Sequence, residues 1–289
     1  MNNILAEQNS ETSLKLLKAQ RIAYDKAKNY QIVDLISILI AIIPPILILN
    51  NLNYANYLSV IGVFWTGIAI FSEIARKEIT KLGATIQEQF DVELFKLPWN
   101  KVLVMDKIEV TKIIELSREY KKEDLKDWYS KEVDNSIEHL IAVLLHYKTN
   151  IIWGSSLRDK YNNFLVFCLI VYYGGSIAIS IYKNTGIFDF SVWIAPSLPF
   201  LVYCITTIKN QKEIIERYKD ISKSINKFIE NHIAKKDPPS ENLLRQIQDL
   251  FFIQRLNPHK VPNWFYSMHR KKTEGVADEA IRLIKARII

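Results

Sequence analysis

The chain has 289 residues, 49% of them hydrophobic and 24% charged, with a formal net charge of +7. Eight glycines and the absence of any low-complexity run exclude long disordered linkers. Two cysteines, Cys168 and Cys204, are too few for a disulfide framework or a metal site of familiar spacing.

The N-terminal arm, residues 1–31, carries Lys15, Lys18, Arg21, Lys26 and Lys28. Then comes a stretch with no Asp, Glu, Lys or Arg from 35 to 72, and two more such stretches follow at 161–182 and 190–208. Each of the later runs matches the ~20 apolar residues that a helix needs to cross a bilayer, and the first is twice that length. It is divided at Asn50-Asn51-Leu52-Asn53, a polar group suited to a turn. Four spans in two hairpins are therefore expected, near 32–49, 57–71, 164–182 and 191–208, with the second continuing past Glu73 or tilting. All must be helical, since lipid offers no partner to a free backbone amide. The competing reading is a soluble bundle, but core helices of soluble proteins carry charge on one face and these carry none. No cleavable signal peptide is expected, because the first apolar stretch begins thirty residues in and a second span follows it.

Basic residues set the orientation. The turn around 50–56 contains no Lys or Arg and the second turn has only Lys183, whereas Arg76, Lys77, Lys81, Arg158, Lys160, Lys209, Lys212 and Arg217 flank the other ends of the spans. Both termini and the middle segment are predicted to face the cytosol. The organisation is then an arm (1–31), a transmembrane hairpin (32–75), a cytosolic middle segment (76–160), a second hairpin (161–208) and a basic helical tail (209–289). That tail holds 17 basic and 10 acidic residues. A charge of this sign suits anionic lipid or an anionic ligand.

Within the middle segment, Leu82, Ile86, Phe90 and Leu94 recur at helical spacing and extend the second span. Pro98 in Lys96-Leu97-Pro98-Trp99-Asn100 ends that helix. Val102-Leu103-Val104-Met105 suggests a short strand, helical spacing resumes over 108–120, and Val133, Ile137, Leu140, Ile141, Leu144 and Leu145 mark a helix running toward the third span. The tail predicts helices at 209–233, at 241–255 behind a Ser240 cap, and at about 274–289. The fold class is an all-α membrane protein: four transmembrane helices in two hairpins, with a mainly helical cytosolic domain made from the middle segment and the tail.

Several segments together resemble one family, the four-transmembrane effectors associated with bacterial cyclic-nucleotide synthases (the SMODS-associating effectors). They are Gln8-Asn9-Ser10 with Leu16-Leu17-Lys18-Ala19-Gln20-Arg21; Ile86-Gln87-Glu88-Gln89-Phe90-Asp91-Val92-Glu93-Leu94-Phe95 leading to Leu97-Pro98-Trp99-Asn100; and Trp128-Tyr129. Asn150, Trp153 and Leu157-Arg158-Asp159-Lys160-Tyr161 follow, then Gln246-Ile247-Gln248-Asp249, Arg255 and Val261-Pro262-Asn263-Trp264-Phe265-Tyr266. The chain departs from the family at His146-Tyr147-Lys148-Thr149-Asn150, where a Cys-Gln-Arg-Ser-Asn-like run is expected, although Lys148 keeps a positive charge there. The resemblance implies an effector of anti-phage signalling in the bacterial inner membrane, one that binds a cyclic oligonucleotide and permeabilises the bilayer. Its implied partners are the lipid bilayer, the cyclic oligonucleotide and further copies of itself, with no DNA or RNA polymer.

Phosphates call for cations and flat bases for stacking rings, at roughly 1–3 kcal/mol per stacked base. Candidate ligand residues are Trp128, Tyr129, Lys148, Trp153, Arg158, Arg255, Trp264, Tyr266 and Arg270. For Trp153 and Trp264 an interfacial anchoring role competes. In the spans, Pro44-Pro45 predicts a kink or break, Gly174-Gly175 allows close helix approach, and Pro196 and Pro199 bend the fourth span. Asp34 and Glu73 either line a cation path or meet headgroup water. Asp91, Trp99 and Asn100 are expected to hold the fold. No catalytic residue, cofactor or metal is expected: His139 and His146 share a helix face but lack a third ligand, and both read as surface histidines. The other functional readings are a constitutive membrane scaffold that recruits a partner, and a small ion channel unrelated to defence.

Overall fold

A computed structural model describes residues 2–49, 55–122, 125–235 and 239–288. Among these the chain is helical, in the order α1 (Ile4–Glu7), α2 (Glu11–Asn29), α3 (Gln31–Leu49), α4 (Ala55–Phe95), α5 (Val110–Glu119), α6 (His139–Tyr182), α7 (Ile187–Ile194), a 3-10 turn (Ala195–Ser197), α8 (Leu198–Ile233), α9 (Glu241–Arg255) and α10 (Asn263–Ile288). Two units form: Met1–Ala27, Lys77–Arg158 and Glu213–Ile289 make a charged unit, and Lys28–Arg76 with Asp159–Lys212 make an apolar one. Helices α4, α6 and α8 each contribute to both.

In the charged unit, residues 141–145 of α6 are all fully buried. A helix buried on every side shows no amphipathic stripe, and here it is surrounded by Leu17 of α2, Ile86 and Phe90 of α4, Ile225 of α8 and Leu244 and Phe251 of α9. Val133 and Ile137 belong to this core but precede the helix, which begins at His139. Helix α4 ends as its proline predicts. Lys96 takes the left-handed conformation (φ 56°) and the Leu97 amide donates back to the Val92 carbonyl, closing the last turn just before Pro98. The strand expected at 102–105 does not form. Asn100 Oδ1 instead accepts from the amides of Val102 and Leu103, both at 3.1 Å, and folds this stretch into a turn. Ser240 caps α9, its hydroxyl accepting from the Leu243 amide. Helix α10 starts at Asn263, eleven residues before the predicted 274.

The apolar unit inverts the usual pattern. Phe64, Phe71, Phe167, Ile170 and Ile181 are each 64–76% exposed. Among the described residues, two helical stretches are long and apolar enough to cross a membrane, His139–Tyr182 and Ile187–Ile233; only 11% of the most apolar window of the first is buried. The second comprises α7, the 3-10 turn containing Pro196, and α8, with Pro199 in the first turn of α8, where a missing N–H costs nothing.

Helix α3 continues through Pro44 and Pro45 to Leu49, so of the expected kink or break the break is absent; the side chains of both prolines, and the turn at Asn50–Asn53, lie outside the described residues. Pro45 has no N–H to offer the Ala41 carbonyl four residues back, and Tyr172 of α6 donates its hydroxyl to that carbonyl at 2.7 Å. Removing this donor with Tyr172→Phe is expected to cost about 1–2 kcal/mol of stability in bilayer or micelle, read as a lower thermal midpoint, while Tyr173→Phe, which loses only a bond to the Ser197 hydroxyl at 3.0 Å, costs less. Gly174 and Gly175 have open space where a Cβ would stand. A close approach occurs at Gly62, whose Cβ would lie 2.7 Å from Pro196 Cα.

Candidate functional site

The segment 86–95 lies on α4 with its polar positions facing inward. Glu88 and Asp91 are fully buried, three residues apart on one face. Arg245 of α9 reaches Glu88 at 2.5 Å and Asp249 at 2.7 Å. Arg255, at the end of the same helix, reaches Asp91 at 2.5 Å and lies 3.7 Å from Glu88. Gln248 donates to both carboxylates, at 2.7 and 3.2 Å, and the Tyr129 hydroxyl donates to Asp91 at 2.7 Å. Burial pushes the Glu88 carboxyl above its ordinary value, opposed by Arg255 and Arg245. For Arg255 burial pulls downward, but Asp91 foremost among the anions outweighs it and holds the guanidinium above its ordinary value.

Neighbouring motif residues fasten onto this core. Gln8 accepts from the Tyr129 amide at 2.8 Å, and Asn9 pairs with both the amide and the carboxylate of Asp127. Arg245 also donates to the Pro98 carbonyl, Asn100 donates to Asp249, and the Trp99 indole donates to the Met105 carbonyl. The residues that carried the sequence resemblance are thus largely one another's hydrogen-bonding partners. Asp91, Trp99 and Asn100 hold the fold, as read from the sequence.

The candidate ligand residues separate into groups. Tyr129 and Arg255 sit in the buried charge core, with Arg255 engaged by two carboxylates. Trp153 of α6 and Tyr266 of α10 meet edge to face, ring centroids 5.3 Å apart. Trp128 and Trp264 are partly exposed, at 37% and 53%. Arg158 is half-buried on α6, and the side chain of Arg270 lies outside the described residues. Lys148 stands apart from the charge core, buried between α6 and α8, and donates to Ser222 Oγ at 2.5 Å and Asn226 Oδ1 at 2.8 Å. Sequence reasoning missed Glu88, Arg245, Ser222 and Asn226. For the first two the signal was present, as charged side chains among the buried apolar positions of α4 and α9. For the last two nothing on an exposed-looking stretch of α8 pointed to them.

His146 corrects the surface reading. It is fully buried, 4.8 Å from the Tyr129 ring centroid, and neither ring nitrogen has a hydrogen-bond partner among the described residues. Burial drives its pKa down from 6.5 to about 3, so it is neutral when folded. The unfolded chain binds the extra proton between pH 3 and 6.5, so this histidine's contribution to stability is complete above about 6.5 and declines as the pH falls through that window. Thermal midpoints measured from pH 7 to pH 4 should fall less steeply in His146→Leu than in the unsubstituted chain. His139, at the start of α6, pairs through Nε2 with the Phe95 carbonyl at 3.0 Å.

In the apolar unit, Arg76 of α4 is buried and pairs with Asp34 of α3 at 2.8 Å and with Glu73 one turn earlier. The two carboxylates singled out in the sequence therefore share one buried guanidinium. Trp65 donates to the Ser37 hydroxyl at 2.8 Å, a second tie between α4 and α3. Among the described residues no group of three His, Cys, Asp or Glu side chains is placed to hold a metal ion.

Comparison with known proteins adds the lineage. The family described as the SMODS-associating 4TM effector domain matches residues 2–284. A protein of Bacillus cereus (strain VD146), described as a probable CBASS effector molecule, is 30% identical over 295 residues, covering 98% of each chain. No solved structure matches. With nearly the whole length matched on both counts, the chain belongs to the SMODS-associating 4TM effector family.

Proposed function

We propose that this protein is a membrane-permeabilising effector of anti-phage defence, opened from the cytosol by a cyclic oligonucleotide. On this reading α3, the first part of α4, the second part of α6 and the α7–α8 stretch are the four spans, both termini are cytosolic, and several copies assemble in the bacterial inner membrane. Ligand binding in the charged unit loosens the bilayer and kills or arrests the cell. No catalytic step is involved.

The observation that carries the reading is the course of α4, α6 and α8. Each belongs to the charged unit over part of its length and to the apolar unit over the rest. A helix is stiff over such lengths, so a shift at one end displaces the other. Family membership and the relative described as a probable CBASS effector support the defence context.

The test is expression beside a bacterial cyclic-oligonucleotide synthase, with membrane potential and propidium entry followed in single cells. Depolarisation with the active synthase, and none with its catalytically dead variant, is the expected result. Depolarisation with both would point to an unregulated channel, and none with either, in well-expressed protein, to a scaffold.

A further inference from the structure

Lys148 is 9% exposed, and its ammonium contacts only neutral groups, the Ser222 hydroxyl and the Asn226 side-chain carbonyl. No carboxylate among the described residues forms an ion pair with it, whereas Arg76, Arg245 and Arg255 each have two. A buried charge without a counter-ion is costly, and proteins normally pair it or neutralise it. Burial does pull the Lys148 pKa below its ordinary value, with no anion opposing it.

The remaining hydrogen-bonding capacity is weighted toward donors, with four unused hydrogens against one spare lone pair on each of the two oxygens. Ser222 Oγ accepts from Lys148, which leaves its O–H to donate. Asn226 accepts through Oδ1, which leaves both N–H groups of its amide to donate. Lys148 has three N–H donors and uses two. Donors on three side chains thus remain beside an ammonium that no described carboxylate pairs. Ser222 is half-buried and Asn226 exposed, so the group is reached from the surface at the Asn226 end.

We propose that Lys148, Ser222 and Asn226 form an oxyanion site that takes a phosphate group and clamps α6 to α8. That the phosphate belongs to a cyclic oligonucleotide rests on the function proposed above; that the group takes an oxyanion does not. Both helices continue into the apolar unit, so a phosphate bound between them pulls on two helices of that unit at once. The same chemistry is offered by a lipid headgroup, and the experiment separates the two sources.

The full chain is placed in nanodiscs of phosphatidylcholine, and its thermal midpoint and ligand affinity are measured with pyrophosphate and with a panel of cyclic di- and trinucleotides. The informative variant is Asn226→Asp, which supplies Lys148 with a carboxylate and repels phosphate. It should unfold no earlier than the unsubstituted chain, so lost binding cannot be ascribed to misfolding. Pyrophosphate and one cyclic nucleotide should both raise the midpoint of the unsubstituted chain, and both affinities should drop about ten- to a hundredfold in Asn226→Asp and Lys148→Met. Equal pyrophosphate binding in the unsubstituted chain and Asn226→Asp, or none in either, overturns the oxyanion site. Lys148-dependent pyrophosphate binding without binding of any cyclic nucleotide upholds the site and overturns its nucleotide source, and with it the proposed function. If phosphatidylglycerol in the nanodisc abolishes the pyrophosphate response while the nucleotides have no effect, the site stands and its phosphate is a headgroup.

Discussion

Arg255→Ala should lower the stability of the charged unit by about 3–5 kcal/mol, the range for removing one partner of a buried ion pair. Asp91 and Glu88 are fully buried, and Arg255 is the cation 2.5 Å from Asp91. Without it Asp91 keeps, among the described residues, Gln248 and the Tyr129 hydroxyl, and Arg245 is left as the guanidinium beside the two carboxylates. A shift of that size is a large part of the stability of a typical domain. Most of the loss is the penalty on the stranded anion, so the double variant Arg255→Met, Asp91→Asn should recover much of it. Chemical denaturation of the detergent-solubilised chain checks this. A near-wild-type midpoint in Arg255→Ala would mean that the pairing is not what holds α9 to α4, and would return Arg255 to the pool of ligand cations.

Arg76→Ala carries the second large effect, of about the same 3–5 kcal/mol, and for a sharper reason. Asp34 and Glu73 both lean on this one buried cation. Its removal takes the buried guanidinium from both anions, which favours their hydration, their protonation or a separation of α3 from α4. Under the proposed function, liposomes containing Arg76→Ala leak without any nucleotide. The triple variant Asp34→Asn, Glu73→Gln, Arg76→Met, which has nothing left to hydrate, should be tight again. Leak that persists in the triple variant would show that the charge cluster is not a latch.

The helices were mostly legible in the sequence and their interruptions less so. Apolar spacing located α9 within a residue, and the continuation of α4 past Glu73 and its stop before Pro98 followed from periodicity and proline geometry. The turn at 100–104 was missed because four consecutive apolar residues read as a strand, while the controlling interaction, Asn100 Oδ1 to two amides, is invisible to periodicity. At Pro44-Pro45 local rules count the lost N–H of Pro45, but not a Tyr172 hydroxyl 127 positions away that donates to the Ala41 carbonyl. Candidate site residues fared similarly. Rings and cations were named by type, and only three dimensions reveal that Arg255 is already committed to carboxylates while Lys148 is not.

The most direct test of the account is ion and dye efflux from liposomes containing the purified full-length chain, with cyclic di- and trinucleotides added one at a time. Efflux that starts with one nucleotide, stays silent with the others, and is lost in Asn226→Asp is the predicted result. Efflux that is the same with and without every nucleotide would contradict the account.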